Sequence, residues 1–538
     1  QCPIAARSSY SYRFIADEWG TMFYHGHQGL DRVEGLVGAL VVRPPNPAVL
    51  LTSGNSVVPD VEYAVLLQEV LSLPEREAWL NVRDGFEKFG YGKDNLGQCW
   101  RASRLPDGTN SPGTAPLSAI VFNGKGWHDQ SALLLEPWTL PLEVFRVRRG
   151  ATALLRLVHA GSMNQMVVWI EGHRFRVVAS DGPALKPVWA DRLVLFPGER
   201  YDILVQALSR PEKRRYYMVA ETLESLTANF LPRTPFKGLA VIDYTDYDGV
   251  PSVPEAERAP DLGHARCDRP EKCTVVNCPW PDSSSSRNFN CITAGELRNM
   301  ESIHDEDVLR TRYTKDEFQE FFINIHFNSV MNGWRFRPPK APLYFHPEKE
   351  TRFARACDPE LCNRVGDSED QHCQCFYHLN ISANAVVQLT LYNMGQGGRM
   401  LDGFHHPFHM HGHHFYVMKQ QFGEYDPVTG FLKSASSDLP CNLERDPTGQ
   451  CNDLPWLNSS WSLGNVPNMN TIDPIKKDTI MVRHHIDGMA FALRIGEREQ
   501  MPVPPSDFPH SCGRFEAPQP PQWKRDLVNA RKKQSETS

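Results

Sequence analysis

The middle of the chain sets its fold class. The runs "TALLRLVHA", "QMVVWIEGHRFRVVAS", "DRLVLFPGERYDILVQA" and "GLAVIDY" follow one another at short intervals, each rich in β-branched and aromatic residues and each closed by Gly, Pro, Asp or Asn. Such residues fit a pleated surface, the intervening turn formers break it, and a cadence of short strands with regular turns is that of tandem all-β sandwiches. At 538 residues there is room for about three domains at the usual ~150 residues each. Two Pro-rich stretches, "RPPNPAVLLTSGNS" and "DYDGVPSVPEAERAPDL", mark the joints. The units expected are 1–48, 61–246 and 263–518, followed by a charged tail over 519–538. The first is much too short for a complete sandwich of about 100 residues.

Against that background one stretch stands out chemically. "FHHPFHMHGHHFYVM", residues 404–418, holds His405, His406, His409, His411, His413 and His414. After Pro407 it reads as a β-strand, whose period of two would put His409, His411 and His413 on one face, with His406 displaced by the fixed φ of Pro407. Neutral imidazole is the common ligand of zinc, copper and iron, and a cluster poor in thiols and carboxylates argues against calcium or magnesium. Copper or zinc is favoured. A run of surface histidines with no ligand role is the blander reading, disfavoured by the ordered His-x-x-His-x-His spacing; His405, His413 and His414 singly are structural or supporting residues. A second pair, His25 and His27 in "GTMFYHGHQGLDRVEGLVGALVV", again lies two apart on an expected strand. His-x-His alone is a weak signal, but two such strands in one chain favour a polynuclear site, because one strand supplies only two well-spaced donors per face.

Charge and cysteine usage narrow the setting. A net charge of −7 without a broad basic face excludes nucleic acid as the expected partner, and the basic run "KRDLVNARKK" reads as a solvated tail. No stretch approaches the ~18–20 uninterrupted apolar residues of a membrane span. The chain starts at Gln1 without an initiator Met or an apolar leader, so a leader is expected to be removed or not included. Nine of the thirteen cysteines cluster in "RCDRPEKCTVVNCPW", "CDPELCNRVGDSEDQHCQC" and "LPCNLERDPTGQCNDLPW", which favours disulfides in a secreted chain. Zinc thiolates at Cys273 and Cys278, or at Cys373 and Cys375, rank well below, since the intervals are irregular. The odd count leaves at least one cysteine free or paired with a missing segment. Asn-x-Ser sequons at Asn380 and Asn458 fit the same compartment.

These motifs together resemble the multicopper oxidases, specifically the laccase-like enzymes of animals, built from three cupredoxin-type Greek-key sandwiches. "QCPI…YRF…GTMFYHGHQGLDRVEGLVGALVV" is similar to the end of the first domain with the second copper motif, usually written with Ser where Gly26 stands. "FNGKG", "IEGHRFRVVASDGPALKPV" and "LFPGERYDILV" resemble the second domain, and "HPFHMHGHHFYV" resembles the third copper motif. The family holds four coppers: a type 1 site that takes electrons from substrate, and a type 2/type 3 cluster that reduces dioxygen to water. The resemblance assigns His25, His27 and His411 to type 3 copper, His409 to type 2, and His406, His484 and Met489 to type 1, with fewer than four ions expected here and no catalytic residues beyond the ligands. It implies oxidation of phenols, aromatic amines or a metal ion.

Two motifs are missing. The His-Trp-His-Gly of the first copper motif lies upstream of the stretch that Gln1 begins. In "KKDTIMVRHHIDGMAFALRIGE", His484 stands four residues before Gly488 and five before Met489, as the second type 1 histidine and axial thioether do; the position five earlier, a cysteine in the family, is Thr479. The His-Cys-His strand is expected to be cut out between Val482 and His484, and no cysteine lies between Cys451 and Cys512. Without the resemblance, His484 and His485 are ordinary exposed histidines. The expectation is therefore an incomplete form of a laccase-like oxidase. The alternatives are a non-catalytic copper-binding pseudoenzyme and, less favoured, a zinc hydrolase, for which only Asp402 and Glu424 could serve as a local base.

Overall fold

The computed structural model describes residues 4, 7–27, 31–45, 57–71, 103–104, 110–111, 117–128, 142–162, 164–223, 226–227, 236–248, 273–278, 289–301, 306–310, 313–326, 330–336, 339, 356–357, 374–392, 406–422, 424–425, 432–434, 437–440, 444–447, 451–482 and 490–497. The only α-helix among the described residues is the single turn Glu306–Leu309; nearly everything else that is regular is strand.

Two seven-stranded sheets face each other in the middle of the chain. One runs Phe289–Ile292, Cys273–Val276, Arg192–Leu195, Met166–Ile170, Arg215–Thr222, Lys237–Tyr244, Glu143–Val147; the other runs Ala184–Ala190, Phe175–Ser180, Arg200–Gln206, Thr152–His159, Val61–Leu71, Leu117–Phe122, Lys125–His128. Both are mixed, with Val61–Leu71 parallel to Thr152–His159 and Lys237–Tyr244 parallel to Glu143–Val147. Thr152–His159 is buried along its whole length, as a central strand of continuous apolar character should be. Val61–Leu71 instead alternates towards its end, burying Val65, Leu67 and Leu71 while Val70 faces solvent. The "FNGKG" signal is a two-residue hairpin: Phe122 pairs with Lys125, and Asn123 and Gly124 take the two positive φ angles, 51° and 74°, that a tight hairpin turn requires.

The inner faces of these sheets share one core that includes Phe145, Leu155, Leu157, Val168, Phe175, Ile203, Met218 and Ile242. That core does not stop at the second sandwich. Val417, Ile475 and Ile480 belong to it, and Phe408, Phe415 and Val482 pack against it. The histidine-bearing segment is thus seated on the second sandwich by apolar burial, each such side chain contributing on the order of 1.5–3 kcal/mol. The strands Cys273–Val276 and Phe289–Ile292, from beyond the second Pro-rich stretch, extend the sheet in parallel from Arg192–Leu195 and are stapled by a Cys278–Cys291 disulfide. A second disulfide joins Cys357 to Cys375, and Cys273 and Cys451 are also disulfide-bonded, which agrees with the reading of the cysteines.

The first segment contributes the hairpin Gly20–His25 and Val37–Val42. It reaches the second sandwich through Thr21, whose hydroxyl donates to Asp202 at 2.6 Å, beside the buried Arg156–Asp202 ion pair. At the same junction Gly20, at φ 133°, lies so close to Gly182 that a Cβ on it would stand 2.2 Å from the Gly182 Cα. Only glycine allows that approach.

Candidate metal centre

The strand expected over the histidine-rich stretch is shorter than its period suggested. His406–His409 pairs antiparallel with Thr479–Val482, the chain then turns through Met410 to Gly412, and pairing resumes at Phe415–Tyr416 against Lys476–Lys477. Gly412, at φ 73°, makes the turn, so His409, His411 and His413 do not share a strand face. In the first segment the strand likewise stops at His25, and His27 follows the Gly26 amide, which donates to Leu36 O at 2.8 Å.

Turn and strand end meet, and four of the anticipated histidines come together. The His25 and His27 rings stack with centroids 5.6 Å apart, His27 meets His411 edge-on at 4.9 Å, and His411 lies 4.9 Å from His409. His406 pairs through its backbone with Val482 at the other end of the same ladder. His405, His484, His485 and Met489 lie outside the described residues. His413 is exposed. His414 is a structural residue, held by Glu18 at 3.0 Å and accepted by the Asp181 carbonyl at 3.1 Å.

Two of the clustered rings, His25 and His411, have their pKa lowered. Burial pushes both His25 and His411 down to about 4, and neighbouring imidazoles add to it: His27 and His409 for His25, and His409, His27 and His25 for His411. Neutral imidazole is the form that binds a transition metal. The donor set therefore fits copper in kind. It is a partial shell, because among the described residues no three His, Cys, Asp or Glu side chains are already gathered around one point.

A supporting layer lies behind His409. Its Nδ1 is 2.9 Å from the Asp478 carbonyl and 3.0 Å from Thr479 Oγ1, and the Asp478 carboxylate is clamped by both terminal nitrogens of Arg200. Arg200 belongs to the second sandwich, as do Asp181 and Glu199, which enclose the buried ammonium of Lys477 at 3.1 and 3.3 Å. Together Arg200 and His409 hold the Asp478 carboxyl far below the usual carboxylate range against the cost of burial. Apart from Thr479, none of these residues stands out in the sequence. The one available signal was charge inside an apolar run, "KKDTIMV", which a solvated strand end would show equally. Thr479, which stands where spacing placed the type 1 cysteine, lies opposite His409 and not His406.

Three family models, all described as multicopper oxidase, match the chain in order, over residues 1–47, 96–244 and 336–496. The chain belongs to the multicopper oxidase family. It is 24% identical over 441 residues to a laccase of Arthroderma benhamiae, covering 80% of this chain and 58% of that one. Laccase-25 of Oryza sativa subsp. japonica is 25% identical over 449 residues, covering 79% and 69%. Among solved structures a laccase from Botrytis aclada aligns with a TM-score of 0.51 at 16% identity, covering 90% of this chain and 66% of its own, a likeness of cupredoxin fold. This multicopper oxidase chain thus spans little more than half the length of the first of these relatives. The matches establish the family and not the narrower grouping with animal enzymes.

Proposed function

We propose that the chain is the copper-binding body of a laccase-like oxidase, in which one-electron oxidation of phenols, aromatic amines or a reduced metal ion is coupled to reduction of dioxygen to water. The observation that carries it is the meeting of His25 and His27 from the first segment with His409 and His411 from the third, on the face of the second sandwich. His25, His27 and His411 would hold a type 3 copper and His409 the type 2 copper, with His406, His484 and Met489 directed to a type 1 site. Bound copper would supply the one-electron steps and the site at which dioxygen is reduced. The protein's own part is to hold His25 and His411 below the ordinary histidine range and to fix the orientation of His409 from behind. Extracellular placement is supported by the disulfides, and Asn380 and Asn458, both exposed, would carry N-linked glycans.

A second reading, a copper-binding protein without oxidase turnover, is favoured by the absence of any cysteine between Cys451 and Cys512. Express the 538-residue chain, supply Cu(II), and measure bound metal per chain together with oxygen uptake in the presence of a phenolic dye. Copper retention that is lost in His27→Ala and His411→Ala, together with oxygen uptake, supports the oxidase. Copper retention without oxygen uptake supports the second reading. Stoichiometric zinc with hydrolytic turnover overturns both.

A further inference from the structure

The surroundings of His409 decide which of its two nitrogens carries the proton. Nδ1 faces two oxygens. The Asp478 carbonyl, at 2.9 Å, has only lone pairs to offer. The Thr479 hydroxyl, at 3.0 Å, has one proton, but donates it to Asp478 Oδ1 at 2.8 Å. That carboxylate oxygen is itself fixed by Arg200 Nη1 at 2.7 Å, and the same nitrogen approaches Thr479 Oγ1 at 3.4 Å. With its proton directed to Asp478 and an Arg donor alongside, Thr479 Oγ1 also presents lone pairs to His409. Two acceptors against one ring nitrogen require a proton on that nitrogen.

We infer that Arg200, Asp478 and Thr479 form a positioning relay that keeps the His409 proton on Nδ1 and leaves the Nε2 lone pair as the metal-facing donor. The consequence reaches beyond one ring. Arg200 comes from the second sandwich, 278 residues before Asp478, and it is buried at the seam where the third segment docks. Thr479 has its backbone amide bonded to Asp181 Oδ2 of the second sandwich at 3.1 Å. Docking of the third segment therefore brings Arg200 and Asp181 behind the two acceptors, which the third segment itself carries opposite His409, and fixes them in place. Such outer partners of a ligating histidine fix its tautomer and orientation in metalloproteins generally.

The inference rests on His409 being a copper ligand, so its test separates the two ideas. Thr479→Val keeps the branching and removes the acceptor; Thr479→Ser keeps the acceptor. In chelator competition with the full chain, Cu(II) binding should weaken about tenfold in Thr479→Val, at the lower end of effects of this kind, and return in Thr479→Ser. Equal binding by wild type and Thr479→Val, or failure of Thr479→Ser to restore it, overturns the relay. A second readout needs no metal. In long-range 15N–1H spectra of metal-free, 15N-histidine-labelled protein, with His409 assigned through His409→Gln, the wild type should show the Nδ1–H tautomer, and an Nε2–H tautomer overturns the relay. If His409→Gln leaves copper binding unchanged while the Nδ1–H tautomer is found, the relay stands as a tautomer lock and the ligand assignment falls instead.

Discussion

His159 shows how far a single side chain can govern the molecule's response to acid. It is fully buried, its Nε2 lies 2.7 Å from the Asn164 carbonyl, and burial, helped by Arg32, pushes its pKa down to about 3. An unfolded histidine titrates near 6.5, so on acidification the unfolded chain takes up this proton first and the folded state loses stability as pH falls from about 6.5 towards 3, by roughly 1.4 kcal/mol per pH unit inside that window. His25 and His411 act with the same sign. Thermal midpoints of wild type and His159→Gln between pH 7 and pH 4 should show a shallower acid decline in the variant; parallel curves would refute the assignment. At this scale the sequence was informative where chemistry is written in spacing. His25, His27, His409 and His411 could be picked out because ligands two or three residues apart are an unusual pattern. Arg200 and Asp478 could not, nor could the part Thr479 plays behind His409, because the Arg200–Asp478 contact exists only once strands some 280 residues apart in sequence are packed together.

Strands were legible through residue type and punctuation, and they went astray where one glycine changed direction. "TALLRLVHA" and "MVVWI" are buried central strands as their unbroken apolar runs imply. The histidine stretch was extended too far because the period of two was carried through Gly412. Lys476–Lys477 is the opposite lesson: two adjacent lysines in a strand suggest solvent, yet Lys477 is entirely buried. Its ammonium is held charged by Asp181 and Glu199 and hydrogen-bonds Ser180 at 2.7 Å and Tyr201 at 3.2 Å. Alternation explains it, since Lys476 faces outward and its neighbour must face in. Lys477→Met should cost about 3 kcal/mol, because it leaves the buried Glu199 carboxylate without its cation and Asp181 with Arg200 alone, at 3.5 Å. Chemical denaturation that finds a loss below about 1 kcal/mol would mean that the carboxylates simply take up protons and the ion cluster is dispensable.

At the scale of the whole molecule, the arrangement of three sequence segments around one sandwich explains why fold and metal site are legible to different depths. The second sandwich supplies most of its own core, to which Val417, Ile475 and Ile480 add from the third segment, and its strands Thr152–His159, Met166–Ile170, Arg200–Gln206 and Lys237–Tyr244 follow from local pattern. The metal centre is not, since it needs His25 and His27 from one segment and His409 and His411 from another, and each is brought in by contacts with the second sandwich. Its optical behaviour follows from what that assembly supplies. The intense blue colour of type 1 copper arises from charge transfer between a cysteine sulfur and Cu(II), and a fast route for electrons out of the substrate runs through the same thiolate. In this chain Thr479 turns its hydroxyl to His409, the strand opposite His406 ends in Met481 and Val482, and the two flanking cysteines along the chain are Cys451, which is disulfide-bonded, and Cys512. Copper bound by imidazoles alone gives only weak visible bands. The copper-loaded 538-residue protein should therefore be pale, and its phenol oxidation should be far slower than that of a version into which a His-Cys-His strand is inserted after Val482. A visible spectrum recorded beside that of the inserted version decides the matter: an intensely blue wild type would show that a cysteine reaches the metal from elsewhere, and the argument from ligand to colour would fail.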